Sequence, residues 1–587
     1  MKNMGLRDKI ISKCLEIIGN DIKPESVTPL FEQPLLKEHG DLSLPCFTIA
    51  KKYRKSPNSI ATELASRWTA TDLATVNVIG GYLNFKYNPE TLIDDTLTEI
   101  LNKNKEYGAS NTGEGKKVLV DYCGVNVGKP MHVGHIRSTI LGNSILNILK
   151  FCGYKTYGIN YLGDTGLHIG KLIYAINTWG DINKIRENPI KHFFDLYVKF
   201  HKEEMKNRTI TKESELIDND DTVLTEDIPL VKNAKEIVRK IENNDPEYIK
   251  QWQEIIELSN NYFQKLYDLL GIKFDEITGQ SQYSNKGKEI ALKALEMGRA
   301  KTQDGAIVYN LSKYNLPDKI ILRSDGSSMY STQDIGALIT RYETHKFDKC
   351  IYVTGEEQKL YFQQIFAIIK DLGYDWADRC FHIPFGLLNL PEGKISTREG
   401  KVVFLEEVLN RAQELALNIV KEKNPELPDD IKTDVAKKVG IGAIKYMILS
   451  IAPEKNITFT WEKALNLENN SGPYIQYSYA RANSILRKKS INEYRWLTKD
   501  LLDQETVTLI KDLSNFPFTV RLAEHNLNPQ VIAEFVNNTC MDFNYFYDKC
   551  RVIGSEQEKS RLILVKSFCI VISNAMNLLG IDLPEKM

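Results

Sequence analysis

His132 and His135 stand three residues apart in the tetrapeptide His132-Val133-Gly134-His135. Two imidazoles on either side of a first helical turn can both reach one phosphate, and Gly134 removes a side chain so that a flat ring can approach. The chemistry this suits is nucleotide binding. A pair of histidines at a helix start also serves as a solvated cap, so the tetrapeptide needs its context. A second cationic cluster, Lys394-Ile395-Ser396-Thr397-Arg398, lies between Gly393 and Gly400. Two cations on a glycine-flanked loop can hold a pyrophosphate harder as charge builds on it. Alone, such a pentapeptide reads as a surface loop.

The elements that must position these residues are legible. Val118, Leu119 and Val120 form an apolar run ending in Asp121, as a buried strand does, and the turn formers from Cys123 to Pro130 break it. Ile136, Ile140, Leu141, Ile145, Leu146 and Leu149 then recur at helical spacing up to Gly153. The histidines therefore sit at a strand-to-helix corner, where free N–H groups and the helix dipole favour an anion. KTYGINYLGDTGLHIGKLIYAI gives a second strand ending at Gly163-Asp164 and another helix. Later, Cys350 to Val353 reads as a strand, with Gln358 opening the helix after it. Tyr330 and Asp334, four apart, share one face of a helix running through Leu338. Strand and helix alternate as in a doubly wound parallel sheet.

At 587 residues, 42% hydrophobic and 26% charged, the chain is too long for one core and is expected to be a multidomain α/β protein. The formal net charge of -1 gives no global nucleic-acid signal, although a local basic face would suffice. Nine cysteines form no Cys-x-x-Cys pair and show no metal-like spacing to histidine, which points to reduced thiols and no structural zinc. The N-terminus lacks a signal-peptide core. LILVKSFCIVISNAMNLL is apolar but interrupted by Lys566, Asn574 and Asn577, so a buried helix is expected there rather than a membrane span.

The run VDYCGVNVGKPMHVGHIRSTILG, with the HVGH tetrapeptide as first signature and KISTR as second, resembles class I aminoacyl-tRNA synthetases, and arginyl-tRNA synthetases in particular. The likeness extends over nearly the whole chain. It implies a Rossmann-like parallel-sheet catalytic domain over 109–410 with a charged helical insertion at about 180–280, and an N-terminal tRNA-contacting α+β domain over 1–108. A helical connecting region over 411–465 and a C-terminal α-helical anticodon-binding bundle over 466–587 follow. GPYIQYSYARANSILRKKS resembles the opening helix of that bundle, which would place Tyr474, Tyr477, Arg481, Arg487 and Lys488 against tRNA. No chemistry is assigned to the insertion.

The same resemblance implies residue roles. His132, Gly134, His135, Lys394 and Ser396 would bind ATP, with His132, His135, Lys129, Lys394 and Arg398 serving catalysis. The fourth position of the second signature is Thr397, where most class I enzymes carry a lysine. Lys129 occupies the place that compensates in this family. Asp121, Asn126, His132, Tyr330, Asp334 and Gln358 would bind arginine. Two carboxylates suit the planar five-donor guanidinium, and leaving a buried acid unpaired penalises other substrates. His168 stands where the family has a glutamine, so no role is carried over to it. The expected reaction joins L-arginine to tRNA(Arg) through arginyl-adenylate, releasing AMP and pyrophosphate. ATP is a substrate, Mg2+ accompanies it, and no metal is held by protein side chains. The protein is expected to be a cytoplasmic monomer with no membrane partner. Two alternatives stay open: a nucleotidyltransferase of the same superfamily, and a tRNA-binding paralogue without aminoacylation activity.

Overall fold

A computed structural model describes residues 5–19, 22–34, 36–206, 228–389, 403–489, 491 and 493–587. At its centre is a five-stranded sheet, every strand parallel to its neighbours. In spatial order the strands are Cys380–Phe385, Lys349–Gly355, Lys117–Asp121, Lys155–Leu162 and Glu276–Gly279. The chain begins in the middle, at Lys117–Asp121, works outward one way through Glu276–Gly279, then returns to the other side at Lys349–Gly355. The direction of winding therefore reverses between the Asp121 strand and the Tyr352 strand. Ligands of such sheets bind at the carboxyl ends of the strands beside that reversal.

Val118, Leu119 and Val120 are fully buried, as a central strand covered on both faces requires. The helix Val133–Phe151 covers one face and the helix Tyr330–His345 belongs to the crossover on the other side of the switch. AIVYNL and KIILRS, which the sequence lets join the nucleotide fold, form a separate antiparallel meander instead: Ala300–Gln303, Ala306–Tyr309 and Lys319–Leu322. The reason is local. Asp304 and Gly305 both take positive φ, 51° and 81°, and a two-residue turn of that kind can only return the chain antiparallel.

The inserted region follows the helix Leu167–Trp179 and contributes Pro189–Lys206, Pro229–Glu242 and Pro246–Leu269 before the chain re-enters the sheet. It is not merely a solvated charged face, because Phe193, Phe194, Leu196, Tyr197 and Phe200 on its first long helix are buried.

Ahead of the sheet, Leu42–Pro45, Tyr82–Tyr87 and Ala74–Ile79 form a small antiparallel sheet packed by helices. Beyond it the chain is helical. Glu558–Leu578 is long and apolar enough to cross a membrane, but 83% of its most apolar window is buried inside the protein. That bundle is fastened to the nucleotide domain: Ser144 Oγ donates to Leu578 O at 2.9 Å and Tyr154 OH to Glu524 Oε1 at 2.7 Å. All nine cysteines are free and buried.

Candidate active site

The corner after the central strand is fixed by a few short bonds. Cys123 N donates to Ser138 Oγ at 3.0 Å, and that hydroxyl donates to Val353 O at 2.6 Å, tying both strands at the switch point to the Val133–Phe151 helix. Asn126 and Gly163 form a parallel bridge between the first and second strand ends. A Cβ on Gly163 would fall 2.1 Å from Asn126 Oδ1, so the glycine is what lets that amide lie across the strand end.

The two histidines cap the helix reciprocally. His132 Nδ1 accepts from Gly134 N at 3.1 Å and His135 Nδ1 accepts from His132 N at 3.2 Å, with ring centroids 3.9 Å apart. A Cβ on Gly134 would meet the His132 ring at 2.8 Å. A backbone N–H can donate only to a lone pair, so both rings are protonated on Nε2. Burial, helped by the Lys129 charge, lowers the His132 pKa to about 4, and burial beside His132 holds His135 well below the usual range. The cap and the catalytic reading are thus one arrangement: two neutral rings, each offering an Nε2–H donor beside a helix N-terminus.

Lys129 lies against the inserted region. Its Nζ donates to Tyr197 OH at 3.2 Å and sits 4.3 Å from the centre of that ring. Nearby, Lys171 and His201 Nδ1 each contact Glu204 Oε2 at 3.0 Å in a buried cluster.

The acids lie on facing elements as well: Asp121, 6% exposed, ends the central strand, and Asp334, half-buried, stands two helical turns before Arg341, which contacts Asp121. Burial, reinforced by the like charge of Asp121, raises the Asp334 carboxyl to about 6. Asp334 Oδ2 accepts from Tyr361 OH, while Oδ1 is buried with no hydrogen-bond partner. Asp121 does not stand open in the same way, because Arg341 Nη1 lies 2.7 Å from its Oδ2. Tyr330 opens its helix and is exposed, and Gln358, also exposed, precedes the helix Lys359–Asp371 at the carboxyl edge of the sheet. His168 is buried against Gly163 O at 3.2 Å, which explains it as a strand-end prop.

Lys394, Ser396, Thr397 and Arg398 lie outside the described residues. Both approaches to that stretch are anchored at the histidine corner. Arg137, 1% exposed, donates to Gly386 O at 2.5 Å and Pro453 O at 2.9 Å, and Leu405 N donates to Met131 O at 2.9 Å. Arg137, Tyr197, Arg341 and Tyr361 were not singled out from sequence. Only Arg137, three residues beyond Gly134, carried a positional hint.

In the C-terminal bundle, Tyr474 is 7% exposed and its hydroxyl accepts from Asn544 Nδ2 at 3.0 Å, so it offers no open face to a base. Tyr477 is half-buried, with the Arg481 guanidinium 5.0 Å from its ring and 4.9 Å from that of exposed Tyr547. Arg487 and Lys488 are exposed.

Three families match the chain in turn: the arginyl tRNA synthetase N-terminal domain over 6–87, the class I (R) tRNA synthetase catalytic domain over 96–461, and the DALR anticodon-binding domain over 475–587. An arginine–tRNA ligase of Halothermothrix orenii is 39% identical over 592 aligned residues, covering 100% of both chains. One from Clostridium botulinum is 40% identical over 97% of this chain and 98% of its own. The solved arginyl-tRNA synthetase of Thermus thermophilus shares the fold over 100% of both chains, with a TM-score of 0.81 at 24% identity. Parallel sheet, switch point and histidine corner are therefore those of a class I tRNA synthetase. Within that class, the chain belongs to the arginine–tRNA ligase family.

Proposed function

We propose that the protein charges tRNA(Arg) with L-arginine in two steps. The arginine carboxylate attacks the α-phosphorus of ATP and expels pyrophosphate. The 2'- or 3'-hydroxyl of the terminal tRNA adenosine then attacks the adenylate carbonyl and releases AMP. No side chain forms a covalent intermediate. The rate comes from positioning and from donors aimed where phosphate charge develops. His132 and His135 supply Nε2–H donors, Lys129 a cation, and Lys394 and Arg398, with Ser396, the second-signature contacts. Asn126 and His132 take the α-amino and carboxylate end, and Tyr330, Gln358, Asp121 and Asp334 the guanidinium.

One observation supports this reading most: Arg341, on the helix that carries half-buried Asp334, lies 2.7 Å from buried Asp121 at the switch point, so acids from two distant stretches face one another there. Mg2+ enters with ATP, on the phosphate oxygens it prefers. For tRNA we favour Tyr477, Arg481, Arg487 and Lys488 over buried Tyr474. Domain limits of 1–108, 109–410, 411–465 and 466–587, and a cytoplasmic monomer, complete the proposal. Charging of tRNA(Arg) with labelled arginine, against lysine as control, tests it. Equal esterification of both amino acids overturns it, and ATP–pyrophosphate exchange at full rate without RNA removes the expected tRNA requirement.

A further inference from the structure

Arg341 places a guanidinium of the protein itself inside the acidic crevice. It lies two helical turns beyond Asp334 on the same face, and long helical side chains lean back toward the N-terminus, so its head group returns toward that acid. The side chain is 3% exposed, with Nη1 2.7 Å from Asp121 Oδ2 and 3.1 Å from Tyr352 OH. The ring of Tyr161 lies 4.9 Å from the guanidinium carbon and that of Tyr352 5.6 Å. Tyr352 is the register partner of Asp121 across the switch point, so strand pairing fixes both walls. Nη2 and Nε have no hydrogen-bond partner, and the two rings are what face them.

Two buried carboxylates alone would repel each other, and one would take a proton. With Arg341 present the crevice carries two negative charges and one positive. One net negative charge remains for one cation. Asp334 Oδ1 and Asp121 Oδ2 both lack a hydrogen bond, but Asp121 Oδ2 has the Arg341 charge 2.7 Å away.

We infer that Arg341 is a specificity-determining residue of the amino-acid pocket, a resident guanidinium that fixes Asp121 beside the substrate cation and leaves Asp334 as the more open carboxylate contact. This deepens the arginine-pocket reading and rests on it. The charged and titratable groups facing Asp334 are Asp121 and Tyr161 from the sheet, Tyr361 from the next helix and Arg341 from its own. Burial works against the Arg341 charge, but Asp121 holds its pKa well above the ordinary arginine value; burial likewise pushes the Asp121 carboxyl up, and the Arg341 contact is what opposes that rise.

The test uses the full chain with Arg341→Met, which keeps the stem, and Arg341→Lys, which keeps the charge without the fork. For Arg341→Met, the KM for arginine should rise about tenfold or more while the KM for ATP stays within about twofold, the usual consequence of leaving one partner of a buried pair uncompensated. The acid limb of kcat/KM for arginine should move to higher pH, which a purely structural loss would not do. Arg341→Lys should recover part of both effects. If Arg341→Met fails to fold, Arg341→Gln, which removes the charge and keeps a hydrogen-bond donor, takes its place and should still show the raised arginine KM and the shifted acid limb. A folded variant with unchanged arginine KM and unchanged acid limb overturns the inference. Asp334→Asn separates the two readings: if it abolishes arginine binding while Arg341→Met has no effect, the pocket stands and the role of Arg341 falls. If neither matters, the pocket assignment itself is wrong.

Discussion

His135 Nδ1 accepts the backbone N–H of His132 at 3.2 Å, so the second histidine of the signature fixes the first through the main chain rather than through its ring. Each imidazole has one nitrogen for the fold and one for the ligand, and substitutions can separate them. Asparagine at 135 keeps an acceptor near the Nδ1 position and loses the distal donor. Glutamine keeps a distal donor and loses the cap. His135→Asn should melt near the parent temperature but lose about 10²- to 10³-fold in kcat, the cost of removing one donor from developing charge. His135→Gln should retain more activity and lose about 1 kcal/mol of stability, as a lost N-cap does. Thermal melts paired with adenylate-formation rates check both, and the opposite ranking would assign the ring a structural part alone.

The raised pKa of Asp334 fixes the sign of a pH effect. Its carboxyl titrates at about 6 rather than in the usual carboxylate range, and only the ionised form attracts a guanidinium. Above about pH 7 kcat/KM for arginine should be flat. Below about pH 6 it should fall tenfold per unit, because kcat/KM reports the free enzyme. At saturating arginine the bound cation keeps Asp334 ionised, so the limb in kcat must lie lower. Neither histidine can produce it, since His132 titrates at about 4 and His135 is also held well below the usual range. An arginine profile flat down to pH 5 would contradict the assignment.

Much of this site was legible in the sequence because its parts follow local periodicities. The apolar run before Asp121, the turn formers to Pro130 and the helical spacing after Gly134 place the histidine corner with no tertiary knowledge. Tyr330 and Asp334 share a face by helical geometry alone. What the sequence could not show is what long side chains touch. Arg341 is one more charged position on a helix until strand pairing brings Tyr352 and Asp121 beside it. Tyr197 sits in a charge-rich stretch that resembles a solvated surface, yet its helix buries one face against the nucleotide domain. The meander at 300–322 escapes the sequence for a related reason: short apolar runs show that strands exist, while a two-residue turn decides which sheet they join.

Arg137 should matter to stability more than to binding. Its guanidinium serves the carbonyls of Gly386, Leu387, Ala452 and Pro453 at 2.5 to 3.3 Å. Methionine there leaves these acceptors without a charged donor, and losing one side of a buried charged network costs about 3 kcal/mol or more. Urea denaturation should show that loss. Because Gly386 and Leu387 lead into the second signature, the KM for ATP should rise as well in whatever fraction stays folded.

Lys129 and Tyr197 make the last test, because they link an apparently inert insertion to the phosphate end of the site. Glu204 is held at about 2: burial opposes ionisation, but His201 and Lys171 outweigh it. The buried Lys171–Glu204 pair pins the Pro189–Lys206 helix to Leu167–Trp179, and Tyr197 stands about one turn before His201 on that helix. Tyr197 therefore holds Lys129 from a rigid support. Lys129→Met should cut tRNA-stimulated, arginine-dependent ATP–pyrophosphate exchange about 10²-fold if the ammonium stabilises the departing pyrophosphate. Tyr197→Phe removes the hydroxyl contact and keeps the ring, so it should lose only about two- to fivefold, within the range of a single hydrogen bond. Glu204→Gln should act through the support, lowering stability and exchange together. If Lys129→Met exchanges as fast as the parent, the lysine ahead of the first signature carries no share of the phosphate chemistry, and the charge missing at Thr397 must be made up within the second signature itself.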